Sequence, residues 1–457
     1  MTTKNANLHR AVPAVTRLTA AAASRIVSTM THEAGGNMRP TNTRRIVVVF
    51  AVTLAVLQYI DRVAISQAAP MVMKDLALTK EQMSWVFSAF TLAYALFEIP
   101  GGYLGDWIGP RKVLLRIVLW WSFFTAATGW AWGLASLLIT RFLFGAGEAG
   151  CFPNLTKALN RWMPAAERSR AQGIMWMSAR WGGAITPLLV YACLTAMTWR
   201  QAFLVFGVAG VAWAIIFAWW YRDDPRTHPG VNAAEAALLP PPPSGGDHLH
   251  VPWRRMAASR TVWCLCGQYA AMSYAWYFFV TWFPTYLLEV WKFDLKASAV
   301  LAGLPLFLGG FGSLAAGWLT PPLARRIGIG RARRWLGAGA MAAAAGLLMA
   351  STFATNPYLA VVLIALVSFA MDLTMPGSWT TCMDIGGRAT GTLGGTMNMM
   401  GQLGGFVSPI VLGMIVGRTG QWATTFHVTA VVCLAGAVCW LFIDPTTPLD
   451  SESHHDR

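Results

Sequence analysis

Charge is what this sequence has least of. Asp, Glu, Lys and Arg make up 12% of its 457 residues, about half the ~25% usual in soluble domains. Set beside 55% hydrophobic residues, that shortage excludes an ordinary soluble globule and points to a membrane protein. Histidine is scarce too. Of eight, only His427 falls within a long apolar run, while His248 and His250 sit in a polar connection. Seven cysteines scatter as Cys151, Cys193, Cys264, Cys266, Cys382, Cys433 and Cys439. Apart from the lone Cys264-Leu-Cys266 pair they lack metal-ligand spacing, and they read as buried apolar thiols. The apolar runs also hold no Ser/His/Asp set, so neither an enzyme nor a metal or other cofactor is expected.

Long apolar runs are what the chain does have. Twelve segments, from about 46–68 to about 422–442, each approach the ~20 residues a membrane helix needs. Basic residues fall unevenly between them. The even-numbered connections, with Arg44 and Arg45 just before the first segment, carry 20 Lys or Arg, and the odd-numbered ones carry 6. This asymmetry places both termini in the cytoplasm of a multi-pass cell-membrane protein. It also accounts for the net charge of +15 without a nucleic-acid partner.

The expected fold is all-α, with twelve transmembrane helices forming two pseudo-symmetric six-helix bundles. Residues 1–42 read as a disordered cytoplasmic tail, or as sequence upstream of a start at Met30 or Met38. Residues 43–221 form the first bundle, 222–260 a cytoplasmic loop with the run Pro240 to Pro243, 261–443 the second bundle, and 444–457 a cytoplasmic tail. "GGAITPLLV" at 182–190 matches "GGFVSPIVL" at 404–412, and the same offset takes Arg111-Lys112 to Arg333-Arg334. "WRQAF" at Trp199 matches "WATTF" at Trp422. Anchors at nearly one offset indicate a duplicated unit. Two such halves with a site between them describe a rocking transporter. The GxxxG pairs Gly101/Gly105 and Gly413/Gly417 are read as close packing.

Inside the first apolar run stand Asp61 and Arg62, in "LQYIDRVAIS". A charge at mid-membrane costs roughly 2.5–3.5 kcal/mol on the insertion scale, so these two must pair, face water or serve a function. The fourth segment offers Arg141 and Glu148, seven residues apart and on one helix face. At 1.5 Å per residue, Asp61 lies ~24 Å from the cytoplasmic end, while Arg141 and Glu148 lie ~9 and ~20 Å from the outer end. In a ~30 Å hydrocarbon layer this predicts an Asp61–Arg141 pair, with Glu148 within reach of Arg62 beside a central cavity. A carboxyl balanced between burial and a nearby guanidinium can take up and lose a proton. Arginine offers a planar fork for a carboxylate.

"GGYLGDWIGPRKVL" then supplies a family resemblance. It resembles the Gly-x-x-x-Asp-x-x-Gly-x-Arg-Lys loop of the major facilitator superfamily, here Gly102, Asp106, Gly109, Arg111 and Lys112. "YIDR", "RFLFGAGEAGCFPN" and "RDDPRTHPGVNAAE" resemble its anion:cation symporter branch, which includes sugar-acid, sialic acid and vesicular glutamate carriers. The resemblance implies import of a small organic anion, such as galactonate, glucarate, a hexuronate or a related carboxylate, coupled to protons or sodium. Asp61 and Glu148 would be the proton-coupling sites and Arg62 the anion ligand. Asp106 would latch a cytoplasmic gate, whereas the second-half copy "GWLTPPLARRIG" lacks the acid.

Arg141, Tyr94, Tyr274, Tyr277, Ser378, Trp379, Thr381, Asn398 and Gln402 are further candidate cavity contacts. Arg180 stands where the resemblance implies glutamine. It points either to a more anionic substrate, such as a dicarboxylate, or to a partner in Asp372. The alternatives are an organic-anion exchanger, a drug or metabolite exporter of the same superfamily, or a nutrient receptor. The expected surroundings are lipid, with the protein a monomer.

Overall fold

The computed structural model describes residues 39–241 and 251–449, all helix, turn and loop. Most of the expected N-terminal tail, His248, His250 and the last eight residues lie outside the described residues.

The first half contains α1 (Arg44–Asp75), α2 (Lys80–Ile108), α3 (Pro110–Thr128), α4 (Leu134–Glu148), α5 (Cys151–Trp162), α6 (Ala165–Ala196) and α7 (Trp199–Trp220). The second contains α8 (Arg260–Thr281), α9 (Phe283–Glu289), α10 (Leu295–Ala302), α11 (Leu304–Ile327), α12 (Ile329–Ser351), α13 (Pro357–Asp372), α14 (Met375–Gly386), α15 (Thr390–Thr419) and α16 (Trp422–Leu441). Short breaks separate α4 from α5, α8 from α9, α10 from α11 and α13 from α14. Joined across these breaks, the helices make twelve rods, six in each half. Among the described residues, six helical stretches are long and apolar enough to cross a membrane by length and composition alone.

Local chemistry sets the helix ends. Thr79 with Gln82 and Thr198 with Gln201 form capping boxes at the starts of α2 and α7, satisfying amides that lack a partner in the first turn. Gly109 (φ +89°) and Gly328 (φ +83°) precede α3 and α12. Both turns have ψ near 150° (149° and 151°), so the duplicated loop keeps its backbone bend in both halves. At the break after Glu148, Gly150 is left-handed (φ +80°), and a Cβ there would lie 2.7 Å from the Cα of Gly101.

The halves meet where α2 packs on α15 and α6 packs on α11. Much of this contact is backbone against backbone. A Cβ on Gly102 would fall 2.1 Å from the Gly391 carbonyl oxygen. On Gly395 it would fall 2.6 Å from that of Glu98, and on Gly173 2.7 Å from that of Ser313. Gly101 and Gly105 pack closely as expected, against Ala149–Gly150 and Asn154. Gly413 meets the Trp282 ring, but nothing lies within 4 Å of a Cβ on Gly417. Close packing therefore fails at Gly417, because no neighbouring helix reaches it.

The first part of the central connection folds back on the start of α1. Glu235, fully buried, accepts from the Thr43 and Arg44 amides at 3.2 and 3.1 Å and from Thr41 Oγ1 at 2.5 Å. Arg44 bridges Glu235 and Glu167 at 3.0 and 2.9 Å.

Candidate functional site

Two polar clusters join the halves, one at the end of the bundle rich in arginine and one at mid-depth.

At the basic end, Asp106 of α2 reaches the first turn of α15. Its carboxylate accepts from the Gly391 amide at 2.9 Å, the Thr392 amide at 2.6 Å and Thr392 Oγ1 at 2.7 Å. A helix N-terminus presents unpaired N–H groups and a partial positive charge, so a carboxylate is stabilised there. Lys157 of α5 pairs with the same carboxylate and donates to the Arg388 carbonyl at 2.9 Å. Gly109 leaves room for Asp223, whose Oδ1 accepts from the Arg111 amide at 3.1 Å and pairs with Arg161, also at 3.1 Å. The Arg111 side chain donates to the Ala218 carbonyl, and Lys112 is exposed. In the second half the missing loop acid is replaced by Asp384. It pairs with Arg333 at 2.6 Å and, across the halves, with Arg168 at 2.9 Å. Of these groups, Asp106, Lys157, Arg161, Arg168, Asp223 and Asp384 border an open vestibule of about 570 Å³.

At mid-depth lies a narrow cavity of about 50 Å³. Its polar walls include Arg62 and Tyr94 from the first half, and Tyr277, Asn398 and Gln402 from the second. Arg62 crosses to α4, where Nη2 and Nε lie 2.6 and 3.1 Å from Glu148 Oε1. Gln58, one turn before Arg62, donates to the same oxygen at 2.7 Å. Glu148 Oε2 is buried without a partner. The Arg62 guanidinium lies over the Tyr94 and Phe90 rings at 4.6 and 5.1 Å. Tyr277 donates to Gln402 at 3.0 Å, and Asn398 donates to Glu98 across the halves at 2.7 Å. Arg180 also lines the cavity and pairs with Asp372.

Several expectations need correction. Asp61 and Arg141 are buried near one another, but they make no ion pair among the described residues. The Arg141 guanidinium instead lies over the Phe144 and Phe90 rings, 4.1 and 5.4 Å from their centroids, while Asp61 lies beside Trp121. Neither lines the cavity. Tyr274, Ser378, Trp379 and Thr381 do not line it either. The Tyr274 hydroxyl is buried without a partner. Ser378 accepts from Gln268 at 2.9 Å, and Thr381 accepts from Arg333 at 3.3 Å. Trp379 stands behind the wall, donating to the Tyr269 hydroxyl at 3.2 Å.

Sequence reasoning missed Gln58, Tyr59, Glu98, Tyr269, Trp276 and Asp384. Gln58 and Tyr59 were findable, being four and three residues before Arg62 and so on its face, as was Glu98, four after Tyr94. Tyr269, Trp276 and Asp384 follow from helix rotation that spacing to the singled-out residues did not encode.

Residues 51–409 match the Major Facilitator Superfamily. The chain belongs to that superfamily. Among its relatives, the probable sulfoacetate transporter SauU of Cupriavidus necator is 38% identical over 422 residues, 90% of this chain and 96% of the relative. The hexuronate transporter of Bacillus subtilis is 29% identical over 384 residues, 83% and 90% of the two chains. Such relatives are sugar-acid and anion carriers of the anion:cation symporter type. The family is one of transporters, not enzymes, and the protein is a multi-pass membrane protein. The human organic anion transporter MFSD10 shares the fold with a TM-score of 0.68 at 15% identity, covering 87% of this chain and 99% of its own. The E. coli fucose:proton symporter FucP gives 0.64 at 14%, covering 88% and 100%.

Proposed function

We propose that this superfamily member imports a small organic anion across the cell membrane by proton symport with alternating access. The basic end, with both termini, faces the cytoplasm, and the monomer is the transport unit. The substrate is a carboxylate of the kind named for its relatives, a sugar acid or a short acid such as sulfoacetate.

One observation carries the coupling. Among the described residues, Glu148 receives three donors on Oε1, while Oε2 is buried without a partner. A proton can therefore settle on Oε2 without any bond being broken first. Neutralising the carboxyl removes the coulombic attraction of the ion pair and leaves the Arg62 guanidinium hydrogen-bonded to an uncharged acid. Arg62, already on the cavity wall, is then released to grip the substrate carboxylate with its planar fork. Loss of substrate and proton on the other side restores the Arg62–Glu148 pair. Asp61 serves as the second proton site, close enough to Arg141 and Glu148 to respond to their charge. The Asp106 clasp is the cytoplasmic gate, closed in the form described.

The test is uptake into reconstituted vesicles carrying an internal pH dye, across aldonates, aldarates, hexuronates and sulfoacetate. An acid entering with protons, with uptake lost in Arg62→Ala and proton movement lost in Glu148→Gln, is the expected result. Uptake driven by sodium alone, or variants matching wild type, would refute the coupling scheme.

A further inference from the structure

Arg180 stands on the wall of the same cavity as Arg62, yet the cycle above gives it no task. Its Nε lies 3.2 and 3.0 Å from the two carboxylate oxygens of Asp372, and Nη2 lies 2.7 Å from Oδ1. One face of the guanidinium covers Trp276 at 4.6 Å. The side chains of the pair are 3% and 2% exposed. Arg180 belongs to α6 and Asp372 ends α13, so the pair ties the two halves together. The site is built to admit the acid: a Cβ on Gly309 would lie 2.1 Å from Asp372 Oδ2.

The charges around the cavity are lopsided. Among the described residues, Arg62 and Arg180 are the only charged residues lining it, and no acidic side chain does. Each guanidinium is neutralised from behind by one buried carboxylate, Glu148 or Asp372. A guanidinium held this way costs less to keep in a low-dielectric site than a bare one, and it exchanges one carboxylate for another of like geometry. A monoanion can replace only one of the two carboxylates.

We propose that Arg180 is a second anion-binding position and that the substrate is a compact dianion. One anionic group takes Arg62, and the other takes Arg180 in place of Asp372. This rests on the anion-import reading and names the substrate class within it. Because Asp372 belongs to the opposite half, the second anionic group also undoes a tie between the halves. A dianion that reaches both arginines therefore loosens the closed form in a way that a monoanion of the same shape cannot.

The test compares matched probes on the full-length protein in vesicles: sulfoacetate against its uncharged-sulfone isostere methylsulfonylacetate, and galactarate against galactonate. Wild type should favour the dianion of at least one pair by about tenfold or more in competition, as expected for a desolvated charge pair. Arg180→Gln combined with Asp372→Asn keeps the buried charge balanced and should reduce that preference to about twofold or less. Asp372→Asn alone, which removes the competing acid, should bind the favoured dianion more tightly by tryptophan fluorescence. Equal treatment of both members of each pair by wild type overturns the proposal while leaving symport standing. So does an undiminished preference in the double variant, or weaker dianion binding by Asp372→Asn. If no acid enters with protons, the import reading fails and this inference fails with it.

Discussion

Asp106→Asn tests how the closed form is held. The carboxylate is sealed from solvent and accepts four donors: two amides and a hydroxyl of α15, and Lys157. Asparagine has nearly the same shape but only one acceptor oxygen, and its amide group would face donors. Hydrogen bonds to a charged group contribute about 1.5–3 kcal/mol each, and the helix terminus adds about 0.3–1 kcal/mol. Water repairs part of the loss once the halves part, so a net penalty on the closed form of about 3 kcal/mol is reasonable. At about 1.4 kcal/mol per decade, that moves the open-to-closed ratio more than a hundredfold. Spin labels on exposed Lys112 and Arg326, as cysteine variants, would report the separation of the halves at this end. The variant should show a long-distance population that wild type lacks. An unchanged distance distribution in a folded Asp106→Asn protein would falsify the clasp as the element that holds this end shut.

Two smaller perturbations follow from the same coordinates. Gly102→Ala puts a methyl group 2.1 Å from the Gly391 carbonyl oxygen; overpacking of this kind costs on the order of 1–3 kcal/mol. The same label pair should therefore open, with uptake falling, and a wild-type distance would show that the backbones have slack. Glu167 is held below the ordinary carboxylate range chiefly by its hydrogen bond to Arg44. Its stabilising contribution is therefore present above about pH 4.3 and is lost as the pH falls through the lowered value. The melting-temperature gap between wild type and Glu167→Gln in detergent should close on acidification from pH 7 to about 3.5, and a gap that widened would reverse the sign.

The fold was the most legible part, because composition and the sidedness of arginine act over whole segments. The Asp106 loop is short enough for spacing to place its carboxylate near a helix start. The Arg62–Glu148 contact also survived, since depth and helix face both favoured it. Asp61–Arg141 did not, although the depth estimate was similar in kind. A rod's rotation about its own axis decides which neighbour a side chain meets, and Phe90 and Phe144 took the guanidinium that depth alone had given to Asp61. Ser378 failed for the same reason, turned toward Gln268 within its own half, whereas Trp379 does reach the other half but packs on Phe152 and Trp176 behind the cavity wall. Asp384 was invisible because it lies far along the chain from the loop whose acid it replaces.

The glycine-lined contact between the halves bears on speed as well as shape. Interlocking side chains must be unthreaded and their rotamers released and refrozen in each cycle, at up to about 1.5–2 kcal/mol for each long chain. Where Gly102 faces Gly391 and Gly173 faces Gly317, there are no teeth to disengage. At these points the backbones offer nothing to unthread, and the interlocking between the halves is confined to patches such as Trp181 against Phe307 and Phe311. Movement of one half on the other would then be resisted mainly at those patches and at the charged ties, the kind of contact that a proton or an anion can undo.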